Sequence, residues 1–370
     1  MAEVFFVAGE ASGDLHAAGV VAELRARRTD IDVAGIGGPK MEEAGARLMA
    51  RYEDLAVMGF VEVIRHIPRH LALLSRVRRR LEEGKIRLVV LVDYPGFNMK
   101  VAAAAKDAKV PVLYYVTPQV WAWGAGRLPR LAELITRAAV ILPFEEPLLR
   151  GYGIDATFVG HPLLDRARDL PSQVEARKTL GLVPDRPVLA LFPGSREQEI
   201  EMHLDDFVAA ARIVEAEIPG LQVIVSGAPT VSISQARCPF RVVSASSFPI
   251  LRAADAALCK SGTTTLEAAI AGCPLAVAYR TGWLSYELAR LLVRIPRIGL
   301  VNVVAGREVA REFVQNDLRP DRVAPELLRL LDLSSPERAR ILEGLSEVRE
   351  KLGAPGASRR VAEMASGLVA

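Results

Sequence analysis

Cysteine is scarce: the 370 residues include three, Cys238, Cys259 and Cys273, and none stands in a Cys-x-x-Cys pair. That argues against a disulfide scaffold or a structural zinc site and points to a reducing cytoplasm. Long apolar runs are missing too. The longest uncharged stretches, such as 110–126 and 218–236, are broken by Pro, Gly and Ser, so none reads as a spanning helix. The opening MAEVFFVAGEASGD lacks the basic lead of a secretory signal and meets Gly, Glu and Asp early. Nor does one charge sign dominate. A total of 47 Lys+Arg against 44 Asp+Glu leaves +3, which does not by itself imply nucleic acid. What remains, 51% hydrophobic and 25% charged, is ordinary globular composition, and the length suits two domains with a core each.

Several catalytic signatures are also lacking. No Gly-x-x-x-x-Gly-Lys-Ser/Thr sequence occurs, which disfavours a P-loop NTPase. Residues 7–16 carry Gly9-x-x-x-Gly13, not the Gly-x-Gly-x-x-Gly spacing of a dinucleotide site, which counts against a dehydrogenase. The five histidines (His16, His66, His70, His161, His203) form no His-Glu-x-x-His motif, and Pro68 interrupts the His66/His70 pair. There is no Gly-x-Ser-x-Gly elbow. Asp30-Ile31-Asp32 has a spacing that some sugar-transferring enzymes use for a metal. It precedes its strand, at the wrong end of a sheet, and reads as a solvated turn. Neither a metal nor a cofactor is expected.

What is present is alternation. Runs rich in Val, Ile and Leu (4–8, 33–36, 88–92, 112–116, 140–142, 188–192, 222–226, 256–259, 275–279) alternate with longer amphipathic segments, the pattern of parallel sheets built from βαβ units. The arrangement occurs twice. VFFVA, the loop GEASGD and a helix from about Leu15 open the first half; VLALF, the loop PGSRE and a helix over about 203–216 open the second. The expected fold is α/β, with two Rossmann-like, doubly wound domains, 1–165 and 166–370, facing a central cleft. The last helix is free to return to the first domain.

Such sheets bind ligands at the carboxyl ends of their strands. After the run ending near Lys260, Ser261, Gly262, Thr263 and Thr264 lead into a helix whose free amides and dipole suit an anion, and Glu267 lies one turn on, within reach of a ribose. Thr264-x-x-Glu267 is equally a capping box that needs no ligand. Gly194, Ser195 and Arg196 sit in a second such loop, where the arginine can grip a phosphate bidentately, although Ser195-x-x-Gln198 also fits a cap. Two such loops in one domain favour a diphosphate. In the first half, Glu10 and Ser12 can face the cleft, while Ser12 or Asp14 can instead cap its own helix. Asp93 follows LVVLV and precedes Tyr94-Pro95-Gly96. It can act as a general base on a substrate hydroxyl, or form an Asx-turn before the Pro-Gly bend.

Segment 59–85 stands apart. Ile64, Ile67, Leu71, Leu74, Val77 and Leu81 recur at helical spacing, Pro68 suits the start of a new helix, and 65–80 holds six arginines with no acid. A helix packed on its sheet explains the stripe. A basic face with extra apolar residues also suits docking on an anionic bilayer, whereas the aromatics that stack nucleic-acid bases are missing.

Taken together, AGEASGD (8–14), EDLAVMGFVEV (53–63), DYPGFN (93–98), VTPQVWAW (116–123), LPFE (142–145), GHPLLD (160–165), PGSREQEI (193–200), SGTTTLEAAIAGCP (261–274) and NVVAGREVAREFVQ (302–315) resemble the lipid-A-disaccharide synthases. These are inverting glycosyltransferases of GT-B fold. The resemblance implies transfer from UDP-2,3-diacylglucosamine to 2,3-diacylglucosamine 1-phosphate, giving a β-1,6-linked disaccharide 1-phosphate and UDP. By position it implies Asp93 as base, with Glu10 and Ser12 in the N-terminal loop. It further implies Arg196 at the diphosphate, Asn302 near the nucleotide and Glu267 at the ribose. Gly96 departs from relatives that carry Asp there, leaving Asp93 the only carboxylate in its motif. Acylated substrates give the basic segment a reason to meet a membrane through Val61, Val63, Ile64, Ile67, Leu71, Leu74, Arg76, Arg78 and Arg79. The protein is then peripheral on the inner face of the cytoplasmic membrane. A UDP-N-acetylglucosamine 2-epimerase and a non-catalytic nucleotide-sugar-binding protein are the rival readings.

Overall fold

The computed structural model describes every residue except 55–59, 122–124, 228–232, 283–285, 287–295 and 370; for 54, 60–67 and 125 the backbone alone is described. The chain divides into two compact units. Met1–Asp165 with Gly353–Ala370 forms one, and Arg166–Leu352 the other.

In the first unit, β1 (Ala2–Ala8), β2 (Ile31–Gly37), β3 (Arg47–Arg51), β4 (Ile86–Val92), β5 (Val112–Tyr115), β6 (Arg137–Val140) and β7 (Ala156–Phe158) form one parallel sheet, ordered β3-β2-β1-β4-β5-β6-β7. Phe5 and Val7 point into one apolar layer and Val4 and Phe6 into the other, which is why β1 reads as an unbroken apolar run. The helix Ala357–Leu368 lies on the second layer, where Val361 and Ala365 meet Val20 and Leu24 of the helix Ala11–Arg27. Asp165 fixes its start by accepting the Gly356 and Ser358 amides.

The second unit holds β8 (Val188–Phe192), β9 (Gln222–Ser226), β10 (Arg241–Val243), β11 (Ala256–Lys260), β12 (Leu275–Tyr279) and β13 (Glu312–Val314), also all parallel, in the order β10-β9-β8-β11-β12-β13. Each sheet reverses its winding once, between β1 and β4 in the first and between β8 and β11 in the second. Loops that leave adjacent strands at such a reversal part to opposite faces and open a crevice between them.

The basic segment differs from expectation. One helix, Phe60–Glu82, runs through Pro68, with no new start there. Its carboxyl half is held down by Leu74, Val77 and Leu81, all buried against the sheet, so Leu74 is a core residue and not a surface contact. Leu71 is 51% exposed. Arg76, Arg78 and Arg79 are exposed, Arg76 reaching the Met49 carbonyl at 2.9 Å. The side chains of Val61, Val63, Ile64 and Ile67 lie outside the described residues. Among those described, no helix is long and apolar enough to cross a membrane.

Candidate active site

Two loops meet at the reversal of the first sheet. After β1 the chain turns at Gly9 into the helix Ala11–Arg27. Gly9 is obligatory there, because a Cβ would stand 2.3 Å from the Tyr94 ring of the loop after β4. Ser12 donates to the Glu10 carboxylate, and neither residue caps the helix by its side chain. Asp14 does not cap its own helix either. It is buried and accepts the Gly38, Lys40 and Met41 amides at 2.7, 3.0 and 3.1 Å, securing the turn after β2.

Asp93 and Tyr94 both have φ of 48°, left-handed conformations that non-glycine residues adopt only under constraint. The constraint is visible. The Asp93 carbonyl accepts the Tyr114 hydroxyl at 2.8 Å and Asn98 Nδ2 at 2.6 Å. The carboxyl is pushed up to about 6, first by burial and then by the nearby Glu10 carboxylate, with the Tyr94 amide pulling the other way. Asp93 also lines a cavity of about 210 Å³ with Pro118, Gln119 and Arg127. The arginine was not singled out by sequence reasoning, and only its position after VTPQVWAW links it to the site.

That motif is tied to LPFE. The Trp121 indole donates to Glu145 Oε1 at 3.0 Å, while Glu145 Oε2 accepts the Leu142 amide at 3.0 Å; burial pushes this carboxyl up to about 7. Residues 122–123 of the motif, like 55–59 of EDLAVMGFVEV, lie outside the described residues. In GHPLLD, His161 is buried and pushed down to about 3 by burial and by His16, so it is neutral, with Nδ1 accepting the Leu163 amide.

The reversal of the second sheet is built alike but brings in basic side chains, Arg196 and Lys260. Gly194 has φ of 139°, and a Cβ there would fall 2.4 Å from Glu199 Cβ. Arg196, exposed, is the backbone N-cap of the helix Glu197–Glu217, so the Ser195/Gln198 cap does not form. Across from this loop, Ser261 donates to the Ile298 carbonyl at 2.7 Å, and Thr263 is the backbone cap of the helix Thr264–Ala271 with no side-chain bond. The capping box read at Thr264-x-x-Glu267 is therefore absent. Its hydroxyls are not spent on the helix, whereas Thr265 is buried and bonds the Gly262 carbonyl at 2.8 Å. Gly194, Ser195, Arg196, Ser261, Gly262, Thr263, Thr264 and Glu267 all line one cavity of about 420 Å³, together with Glu199 and Lys260. Glu267 is buried and paired with Arg166 at 3.3 Å.

Asn302 is placed otherwise than expected. It is fully buried and its amide is consumed within the chain, Nδ2 by the Ala310 carbonyl and Glu312 and Oδ1 by the Val309 and Ala310 amides. It has no polar atom turned to a ligand and serves to shape the loop. Asp30 pairs with Arg28 at 2.8 Å and Asp32, inside β2, with Arg47 at 2.6 Å. Among the described residues no three His, Cys, Asp or Glu side chains gather as a metal ion requires.

Comparison with known proteins follows the same lines. The family model described as lipid-A-disaccharide synthetase matches residues 4–363. Lipid-A-disaccharide synthases of Syntrophus aciditrophicus and Anaeromyxobacter dehalogenans are 43% and 42% identical over 375 residues, covering 99% of this chain and 97% of theirs; that of Myxococcus xanthus is 40% identical over 367 residues, 97% of this chain and 96% of its own. Among solved structures, the kitacinnamycin glycosyltransferase superposes with a TM-score of 0.68 at 18% identity, covering 99% of this chain and 98% of its own. The UDP-GlcNAc 2-epimerase of Neisseria meningitidis, solved with UDP-GlcNAc, gives 0.67 at 14%, covering 99% and 100%. At such identities these likenesses speak to the fold, which is GT-B.

Proposed function

The chain belongs to the lipid-A-disaccharide synthase family of glycosyltransferases, and from that premise we propose that it joins UDP-2,3-diacylglucosamine to 2,3-diacylglucosamine 1-phosphate. The observation that carries the assignment of roles is the contrast between the two sheet reversals: Asp93 stands beside the Glu10 carboxylate in one, and in the other Arg196 and the helix start at 262–264 share a cavity whose carboxylates, Glu199 and Glu267, are paired with Lys260 and Arg166.

In this reading Asp93 takes the proton from the acceptor 6-hydroxyl as that oxygen attacks the anomeric carbon of the donor. The new C–O bond forms on the face opposite the departing diphosphate, so the configuration inverts. The bond to UDP breaks with its electron pair leaving on UDP. Arg196 and the amides at 262–264 hold that developing charge, a term that fixed donors supply without reorganisation. Glu267 takes the ribose, and Glu10 keeps the Asp93 proton affinity near neutrality. A carboxyl titrating at about 6 is mostly ionised at pH 7 yet basic enough to accept a proton in the transition state. The domain of Arg166–Leu352 thus serves the nucleotide sugar and that of Met1–Asp165 the acceptor. The acyl chains give Leu71, exposed on the helix that also exposes Arg78 and Arg79 two turns on, a reason to meet an anionic membrane surface on the cytoplasmic side.

The test supplies purified protein with both acylated sugars and follows UDP and disaccharide. UDP release that needs both sugars supports transfer; interconversion of the donor alone supports an epimerase and overturns the reading. Charge reversal of Arg76, Arg78 and Arg79 is expected to lower flotation with anionic vesicles, most at low salt. Unchanged flotation assigns the helix to packing alone.

A further inference from the structure

Glu199 and Lys260 line the 420 Å³ cavity beside Ser195 and Gly262, yet the reaction as derived above uses neither. Lys260 ends β11, and Glu199 stands in the first turn of the helix after β8. Lys260 Nζ lies 2.8 Å from Glu199 Oε1, and Glu199 Oε2 accepts the Ser195 amide at 2.9 Å. Each charged side chain is only 20% exposed. Around Gly262 a Cβ would have open space but for Lys260 Nζ, 3.9 Å away. One carboxylate thus holds, at once, an ammonium and a loop amide that together make an anion site.

We propose that Lys260 is a phosphate-binding residue of the nucleotide site and that Glu199 competes with the phosphate for Lys260 and for the Ser195 amide. The inference rests on the nucleotide-sugar reading of this cavity. A diphosphate offers more acceptor oxygens and more charge than a single carboxylate, so it can take both donors. Lysine carries three rotatable donors on a flexible stem, so it can turn to a phosphate without the protein moving. Glu199 meanwhile places a negative charge against the incoming ligand, which weakens binding and hastens product departure.

This arrangement predicts opposite signs for two substitutions, which a merely structural ion pair does not. Titration calorimetry of the full chain with UDP and with uridine reads both. Lys260→Met is expected to weaken UDP at least tenfold and leave uridine unchanged; Glu199→Gln is expected to tighten UDP severalfold. Lys260→Gln serves as second variant should Lys260→Met not fold. UDP affinity indifferent to both changes overturns the assignment of Lys260, and a weaker UDP affinity in Glu199→Gln overturns the competition by making Glu199 an anchor. If the unaltered chain binds neither UDP nor uridine, the nucleotide-sugar reading itself falls and takes this inference with it.

Discussion

In the first unit the loops after β1 and β4 carry Glu10 and Asp93; in the second, the loop after β8 carries Arg196 and β11 ends in Lys260. Apart from β7, a seventh strand at the edge of the first sheet, strand order, direction of pairing and place of the reversal are the same, so backbone topology does not distinguish the two reversals. Two choices do. One is charge: acid beside acid raises proton affinity at Asp93, while ammonium beside open amides favours an anion. The other is backbone strain. The acidic loop forces Asp93 and Tyr94 into left-handed geometry and holds them with Tyr114 and Asn98, whereas the anion loop places glycine at its left-handed position, Gly194. A base must be held in one orientation; a phosphate loop must let a backbone come close.

The comparison breaks first at Asp93. Asp93→Asn is expected to cut turnover by about 100-fold or more, the scale of a general base, with UDP affinity nearly intact by calorimetry. Near-normal turnover would deny the acidic loop its role. Next comes Arg196→Ala, expected to weaken UDP by the worth of a charge-assisted bond, about 1.5–3 kcal/mol, with the loss shrinking as salt is raised. Equal loss for uridine would show a collapsed loop. Tyr114→Phe removes one of the two donors on the Asp93 carbonyl and is expected to lower turnover by roughly tenfold, about the worth of one buried hydrogen bond, at unchanged UDP affinity. Full turnover would mean that Asn98 suffices.

The smallest effect is in pH. Turnover should fall as pH drops through about 6, and Glu10→Gln should move that limb to lower pH, since removing a like charge lowers the Asp93 pKa. A limb that stays in place would remove Glu10 from the pair. The sign carries over to stability. An acid whose folded pKa is raised is stabilising only when protonated, so stability is lost as pH rises between the unfolded value near 4 and about 6. Asp93→Asn escapes that loss and should melt higher than the unaltered chain at pH 7, with the gap closing at pH 4.

The four strands that the apolar runs do not reveal, β3, β7, β10 and β13, are the four sheet edges. Edge strands are short and half-solvated, so they carry no continuous apolar signal: Arg47–Arg51 begins and ends in arginine, and three of the four have three residues. Interior strands are buried on both faces and were legible, though β6 starts before its apolar run. The site loops were legible because they follow interior strands. What a helix cap or a loop hydroxyl does with its bonds was not. Asp14 and Thr265 accept backbone amides 24 and 36 positions away, and Asn302 is spent within its own loop on Val309 and Ala310; spacing holds no record of such partners. Glu199 lies inside PGSREQEI and Lys260 directly precedes SGTTTLEAAIAGCP, but their pairing spans 61 positions and leaves no mark in either spacing.

The helix Ala357–Leu368 belongs to the sheet that begins at Ala2, with all of Arg166–Leu352 in between. On the ribosome the flank of the N-terminal sheet around Val20 and Leu24 must therefore stay bare until residues 357–368 have emerged, while the intervening unit has every strand it needs much earlier. A stop codon soon after Leu352 would spare that intervening unit and leave the other lobe a target for chaperones and proteases.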